Sequence, residues 1–146
     1  MSGPTDPAEA HFDKGLWGYD GSEWRKLQLL WGYYDRWQEY LGETKSGDGH
    51  FTVSCAAVPA GYVYVLQMAT LVNDTGARGA VRIWARTGSS LFFLVGKVTP
   101  AQYEPLVWTG ALALKAGDYV QLQQLSCQDG DMIYCGVWGY KMRIAM

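Results

Sequence analysis

Few residues in this chain are of the types that do chemistry, and their spacing is poor for it. There are two histidines, His11 and His50, and three cysteines, Cys55, Cys127 and Cys135. No CxxC pair occurs, so a zinc site is hard to assemble from this set. Neither histidine sits in a nucleophile context, no Gly-x-Ser-x-Gly is present, and no glycine-rich loop ends in Lys-Ser/Thr. The candidate paired carboxylates are Asp129 with Asp131 and Glu39 with Glu43. Asp129-Gly130-Asp131 reads as a turn, where Asp and Gly are favoured for backbone reasons, and two Asp supply too few oxygens for calcium. Glycoside hydrolysis by two acids stays open, but nothing singles out a pair. The sequence therefore reads as non-enzymatic, with no metal, no cofactor and no catalytic residue.

The residues in surplus are aromatic. Seven tryptophans and ten tyrosines occur in 146 residues, and Trp-Gly-Tyr occurs three times, at 17–19, 31–33 and 138–140. Trp and Tyr bury a flat apolar face and keep a polar edge, which suits them to contacts between subunits or with sugars. The sequence points to binding or assembly.

Composition sets the class. The chain is 49% hydrophobic and 18% charged, which is globular, and its length is enough for one domain with a core. The formal net charge is −2 with no basic tract, which argues against a nucleic-acid groove. The first residues lack the basic and apolar regions of a signal peptide. The most apolar stretch, 55–72, is interrupted by Pro59, Gly61 and Gln67 and reads as strand, turn and strand, not a membrane span. Cys127 and Cys135 flank the 128–131 turn, so a disulfide across that hairpin is geometrically open. Three reduced, buried thiols are the plainer reading.

The elements that must position these residues read as two parts, 1–49 and 50–146. Residues 1–15 are polar, with two prolines, and look like a mobile arm. Residues 16–41 are aromatic-rich, and 42–49 are a linker or turn by composition. In 16–41 two patterns compete. Trp24, Leu27, Trp31, Tyr34, Trp37 and Leu41 recur every three or four residues, as on a helix face, though Gly32 would cost that helix about 1 kcal/mol. Tyr19-Asp20-Gly21-Ser22 is instead a hairpin turn between Leu16-Trp17 and Trp24-Arg25. An extended or hairpin arm is favoured for 16–31, and 33–41 stays open.

From residue 50 onward the chain is a run of strands broken by turn signals. Seven are expected, over 51–55, 62–72, 80–86, 91–98, 106–114, 119–125 and 132–144, the pattern of an all-β sandwich or barrel. The turn before Tyr62 (Pro59-Ala60-Gly61) echoes the turn before Tyr119 (Lys115-Ala116-Gly117-Asp118). Two similar four-strand halves would fit a jelly roll built from two Greek keys. Trp84 alternates with Ile83 and Ala85 and so faces away from the core, flanked by Arg82 and Arg86. It serves a subunit contact, a stack within the subunit, or a sugar platform. Trp138 shares a face with Tyr134 and Tyr140, with Gly136 between. The inner face of the sandwich is the preferred reading for it.

Taken together, Trp17-Gly18-Tyr19-Asp20-Gly21-Ser22-Glu23-Trp24-Arg25-Lys26-Leu27, followed by Leu30-Trp31-Gly32-Tyr33, resembles the N-terminal segment of small virion proteins of tailed bacteriophages. There an aromatic-x-Asp-Gly-Ser/Thr-x-Trp turn precedes a compact β-sandwich. Val58 to Val65, Asn73-Asp74-Thr75, Leu114 to Val120 and Asp129 to Tyr134 resemble the jelly-roll pattern of head-decoration, cement and fibre-tip proteins. The likeness covers roughly residues 16–144. It implies a jelly-roll-type β-sandwich with an extended aromatic-rich N-terminal arm, and a homotrimer on the capsid, made in the host cytoplasm. The partners it implies are further copies of the chain and a major capsid or other virion protein, with neither nucleic acid nor membrane. It carries over no catalytic residues. On this reading Trp17, Tyr19, Trp24, Trp31, Tyr33, Trp37 and Trp84 are interface residues. A fibre-tip or receptor-binding protein of the same fold, and a carbohydrate-binding module with glycan as partner, are the alternatives.

Overall fold

The computed structural model describes residues 17–19, 24–26, 34–75 and 79–143. The chain divides into two compact units, residues 1–35 and 36–146. In the first, β1 (Trp17–Tyr19) pairs antiparallel with β2 (Trp24–Lys26), with Tyr19 opposite Trp24. Of the two forms expected over this stretch, extended or hairpin, the hairpin is present, and its turn, residues 20–23, lies outside the described residues. So does the expected polar arm at 1–15.

The second unit is a β-sandwich of two antiparallel sheets, and the described residues contain no helix. All seven expected strands are present: β5 (Gly49–Ser54), β6 (Tyr62–Asn73), β7 (Val81–Thr87), β8 (Ser90–Lys97), β9 (Leu106–Leu114), β10 (Tyr119–Cys127) and β11 (Met132–Arg143). Two more come from the region expected to be arm and linker, β3 (Tyr34–Tyr40) and β4 (Glu43–Thr44). One sheet runs β5-β10-β7-β8. The other runs β3-β11-β6-β9, with β4 also pairing with β11.

The division of the chain therefore falls at 35/36 and not at 49/50. β3 lies beside β11 in the sheet, and β4 sets Thr44 against Met132. The stretch expected to be a linker is fastened to the turn after β10 at several points. Lys45 N–H donates to the Asp131 carbonyl at 2.7 Å, and Gly130 N–H donates to the Lys45 carbonyl at 2.9 Å. Gly47 N–H donates to Asp129 Oδ1 at 2.7 Å.

The core lies between the sheets. β7 buries Val81, Ile83 and Ala85, β10 buries Val120, Leu122 and Gln124, and β11 buries Ile133, Cys135 and Val137. Each set is spaced by two, the period that sends alternate side chains to one face of a strand. Apolar area removed from water at about 25 cal/mol per Å² drives this closure. The two turns that echo each other in sequence meet in space. Val58 N–H donates to the Asp118 carbonyl at 2.9 Å, and Gly117 N–H donates to the Val58 carbonyl at 2.8 Å. Gly61 and Gly117 both take the left-handed backbone, with φ of 83° and 89°, which a side chain would strain.

Candidate functional site

Three of the acids that could have done chemistry, Asp129, Asp131 and Glu39, hold donors of the fold. Asp131 is buried and accepts hydrogen bonds from Thr75 Oγ1 at 2.6 Å, Gln128 N–H at 2.9 Å and Asn73 Nδ2 at 3.2 Å. Asn73 Oδ1 in turn accepts from Thr75 N–H, so the turns after β6 and β10 are bound into one cluster. Asp129 and Asp131 thus point to different partners. Glu39 accepts from the Trp37 indole N–H and from Ala56 N–H, both at 3.0 Å. Glu43 is exposed on β4. His50 Nδ1 accepts from Ser126 N–H. Among the described residues no three of His, Cys, Asp and Glu gather where they could hold a metal ion.

All three cysteines are unbridged and buried. Burial pushes the Cys55 thiol up to about 11, with Glu39 adding to the rise and the Val120 N–H on Sγ opposing it. Cys135 is pushed up to about 12, again by burial and then by Glu43. Cys127 is raised by burial and by Asp131. Groups held protonated in this way are inert as nucleophiles.

Trp37 is corrected from interface to core. It is 5% exposed, its ring lies 4.9 Å from Tyr64, and its N–H is bonded to Glu39. β3 is an edge strand, and Trp37 is the side chain it sends deepest inward. Trp84 does face away from the core, as its alternation implies. It meets Phe93 edge-on at 5.0 Å, a stack within the subunit. Trp31 and Tyr33 lie outside the described residues, as do the side chains of Trp17, Tyr19 and Trp24.

Trp138 departs from expectation in the opposite sense. On β11 the inner positions belong to Ile133, Cys135 and Val137, so Tyr134, Gly136 and Trp138 line the outer face. Trp138 is 39% exposed and Tyr134 is 40% exposed. Their cross-strand partners on β6 are Met68 and Val72, and Thr70 lies opposite Gly136. Together with Tyr40 from β3, these side chains wall a trough of about 310 Å³. Its floor is low because Gly136 has no side chain. A Cβ there would run into the Glu39 carbonyl of β3. Arg36 lies over the Trp138 ring, 4.9 Å from its centroid, and holds it in a cation–π contact. The apolar surface continues onto β9 at Val107, opposite Thr70.

A second exposed apolar group sits on the other sheet, at Leu91, Phe92 and Phe93 of β8. None of these positions was singled out by sequence reasoning, because apolar runs in short strands read as core. Gly96 is the available signal. The Phe93 ring lies where its Cβ would be. A scan against protein-family models gives no match, and a search of curated proteins finds no similar sequence.

Proposed function

We propose that the protein is a structural, non-catalytic virion protein, a jelly-roll subunit that assembles with its own copies and with a capsid protein as a decoration or cement protein. The observation that carries this reading is the apolar trough on the outer face of an already closed sandwich. Met68, Val107, Tyr134 and Trp138 stay exposed although the core is full, and a contiguous exposed apolar face of this kind marks a protein contact. Its rim carries Arg36, Gln38 and the Tyr40 hydroxyl, the polar border such contacts have.

The strand pairing supports the jelly-roll part of the reading. Of the eight long strands, the first pairs with the last (β3 with β11), the second with the seventh (β5 with β10), the third with the sixth (β6 with β9) and the fourth with the fifth (β7 with β8). That is one long antiparallel hairpin wrapped over itself, with two Greek keys in it. The β1–β2 hairpin around Asp20-Gly21 supports the likeness to phage virion proteins. The expected symmetry is a homotrimer.

Analytical ultracentrifugation tests this. The wild type is expected to sediment as three 16.2 kDa chains, and a Met68→Ser, Trp138→Ser double variant as a folded monomer. A wild type that stays monomeric at every concentration and also fails to co-sediment with capsid shells would overturn the proposal.

A further inference from the structure

The outer face of the four-stranded sheet has a different chemistry from the trough. Read across the strands by register, one row is Ser54, Gln121, Trp84 and Phe93. The next row is Thr52, Gln123, Arg82 and Gly96, and on the other side of the first row lie Tyr119, Arg86 and Leu91. The face holds amides, hydroxyls, guanidinium groups and aromatic rings. Among the described residues it holds no carboxylate, although the chain has 14 of them and a net charge of −2.

Two features make this face a site and not merely a wet surface. The first is a free aromatic platform. The Phe93 ring is 56% exposed, yet it is fixed on two sides. It meets the Trp84 ring edge-on at 65°, and its tip rests on Gly96, where a Cβ would lie within 2.6 Å of it. Trp138 on the opposite sheet is not free in this way, because Arg36 lies over its ring. The second is an uncompensated pair of cations. Arg82 and Arg86 straddle Trp84, four residues and therefore roughly 13 Å apart along β7. Both are half-buried, and among the described residues no carboxylate forms an ion pair with either. Half-buried stems lose less freedom on binding, so less of the interaction is spent on ordering them.

We propose that this face binds an acidic saccharide, a chain of sugar residues bearing carboxylates. An apolar sugar face stacks on Phe93. Arg82 and Arg86 hold carboxylates through paired N–H donors, a geometry that a planar carboxylate matches. Gln121 and Gln123 read the hydroxyls, since each amide offers both donors and an acceptor. A peptide is the poorer fit. The arginines and glutamines lie on β7 and β10, central strands whose backbone groups are used within the sheet, and the edge strand β8 is bulged at Leu94, which breaks the even row of donors an added strand needs. The site lies on the sheet that does not carry the trough, so it stands whether or not the protein assembles.

The test is isothermal titration calorimetry on the full chain. The probes are a galacturonic acid oligosaccharide, the matching neutral galactose oligosaccharide, a sulfated heparin oligosaccharide and an acidic peptide. The uronate is expected to bind at least tenfold more tightly than each of the other three, and more weakly as salt rises. Phe93→Ala is expected to weaken it about tenfold or more. Arg82→Gln with Arg86→Gln should abolish both the preference over the neutral sugar and the salt dependence, with the β-sheet circular dichroism unchanged. Thr109→Ala, on the other sheet, should leave binding as it is. No uronate binding at millimolar concentration would overturn the proposal. Equal or tighter binding of the neutral sugar, the sulfated sugar or the peptide would overturn it too, as would uronate binding that survives Phe93→Ala and the double arginine variant.

Discussion

Replacing Gln124 with an apolar residue is expected to stabilise the sandwich. Gln124 is fully buried on β10, in the same inward row as Val120 and Leu122, with Phe51 and Val81 opposite it on the flanking strands. Among the described residues neither Nε2 nor Oε1 has a hydrogen-bond partner. In water that amide makes several hydrogen bonds, and folding breaks them with nothing in return. An unsatisfied buried polar group costs about 1–3 kcal/mol. Met keeps the length of the side chain and its two methylenes, and a volume-conserving swap costs under about 1.5 kcal/mol in repacking. The balance favours Gln124→Met by roughly 1–2 kcal/mol, which for a unit of this size raises Tm by about 4–8 °C. The contact from Cys127 Sγ goes to the backbone carbonyl of Gln124 and survives the change. Gln124→Glu runs the other way. Burial holds that carboxyl's folded pKa above its unfolded value, so its deficit is largest at neutral pH and shrinks as pH falls towards the carboxylate range. Urea unfolding at pH 7 and pH 4 reads both variants. If Gln124→Met and Gln124→Leu each lost more than about 1 kcal/mol, the amide would have to be satisfied in solution and the argument would fail.

Three further outcomes follow from the same packing. Trp37→Ala is expected to lower stability by about 3–5 kcal/mol, and Trp37→Phe by about 1 kcal/mol for the lost bond to Glu39. A Trp37→Ala protein with unchanged Tm but a lower assembled mass would return that side chain to an interface. The three thiols should not react with a disulfide reagent at pH 8 until the chain is unfolded. Because folded Cys55 and Cys135 titrate near 11 and 12 against an ordinary 9.0, their contribution is fully present below pH 9. It is lost as pH climbs through those folded values, so the urea midpoint should fall from pH 9 upward. Asp131→Ala should cost about 3 kcal/mol, since it strands the Gln128 N–H and the Asn73 amide, and hydrogen exchange at 128–131 should rise with it.

The seven strands from β5 onward were legible because turn residues separate each from the next. Gly61, Gly88, Gly117 and Gly130 all take positive φ, and Asn73 folds its side chain back onto Thr75. β3 was not legible. Tyr34-Asp35-Arg36-Trp37-Gln38-Glu39-Tyr40 sends one large side chain inward and sets Asp35 and Glu39 two residues to either side of it, so its alternation is faint. Aromatics three and four apart imitate a helix face just upstream. The face taken by Trp138 was hidden for a different reason. β11 is apolar on both sides, with Ile133, Cys135 and Val137 against Tyr134 and Trp138. Local pattern cannot rank two apolar faces; only the opposing sheet decides which one is needed. The same limit hid Phe93 and Met68. Trp84 was readable because arginines on both sides mark its face as the outer one.

The routes left open for partners can be narrowed from the edges. A long apolar edge strand invites addition of another strand, and β8 runs from Ser90 to Gly96 without a charge. Its pairing with β7 slips at Leu94, where the partner of Ile83 is Val95 and the partner of Trp84 is Phe93. β9, the edge of the other sheet, slips as well. Leu66 faces Leu112 and Met68 faces Thr109, which leaves Gly110 and Ala111 set against Gln67 alone. A bulge twists an edge and breaks the even row of donors that an incoming strand needs. Lys97 adds an ion pair to Glu104 at the end of β8. Edge-to-edge association is thus disfavoured at β8 and β9, the edge strands that carry Phe93 on one outer face and Val107 on the other. Those faces differ in kind. One is an apolar trough with a polar rim, suited to a protein surface. The other is an arginine, amide and aromatic field, suited to a hydrated anionic ligand.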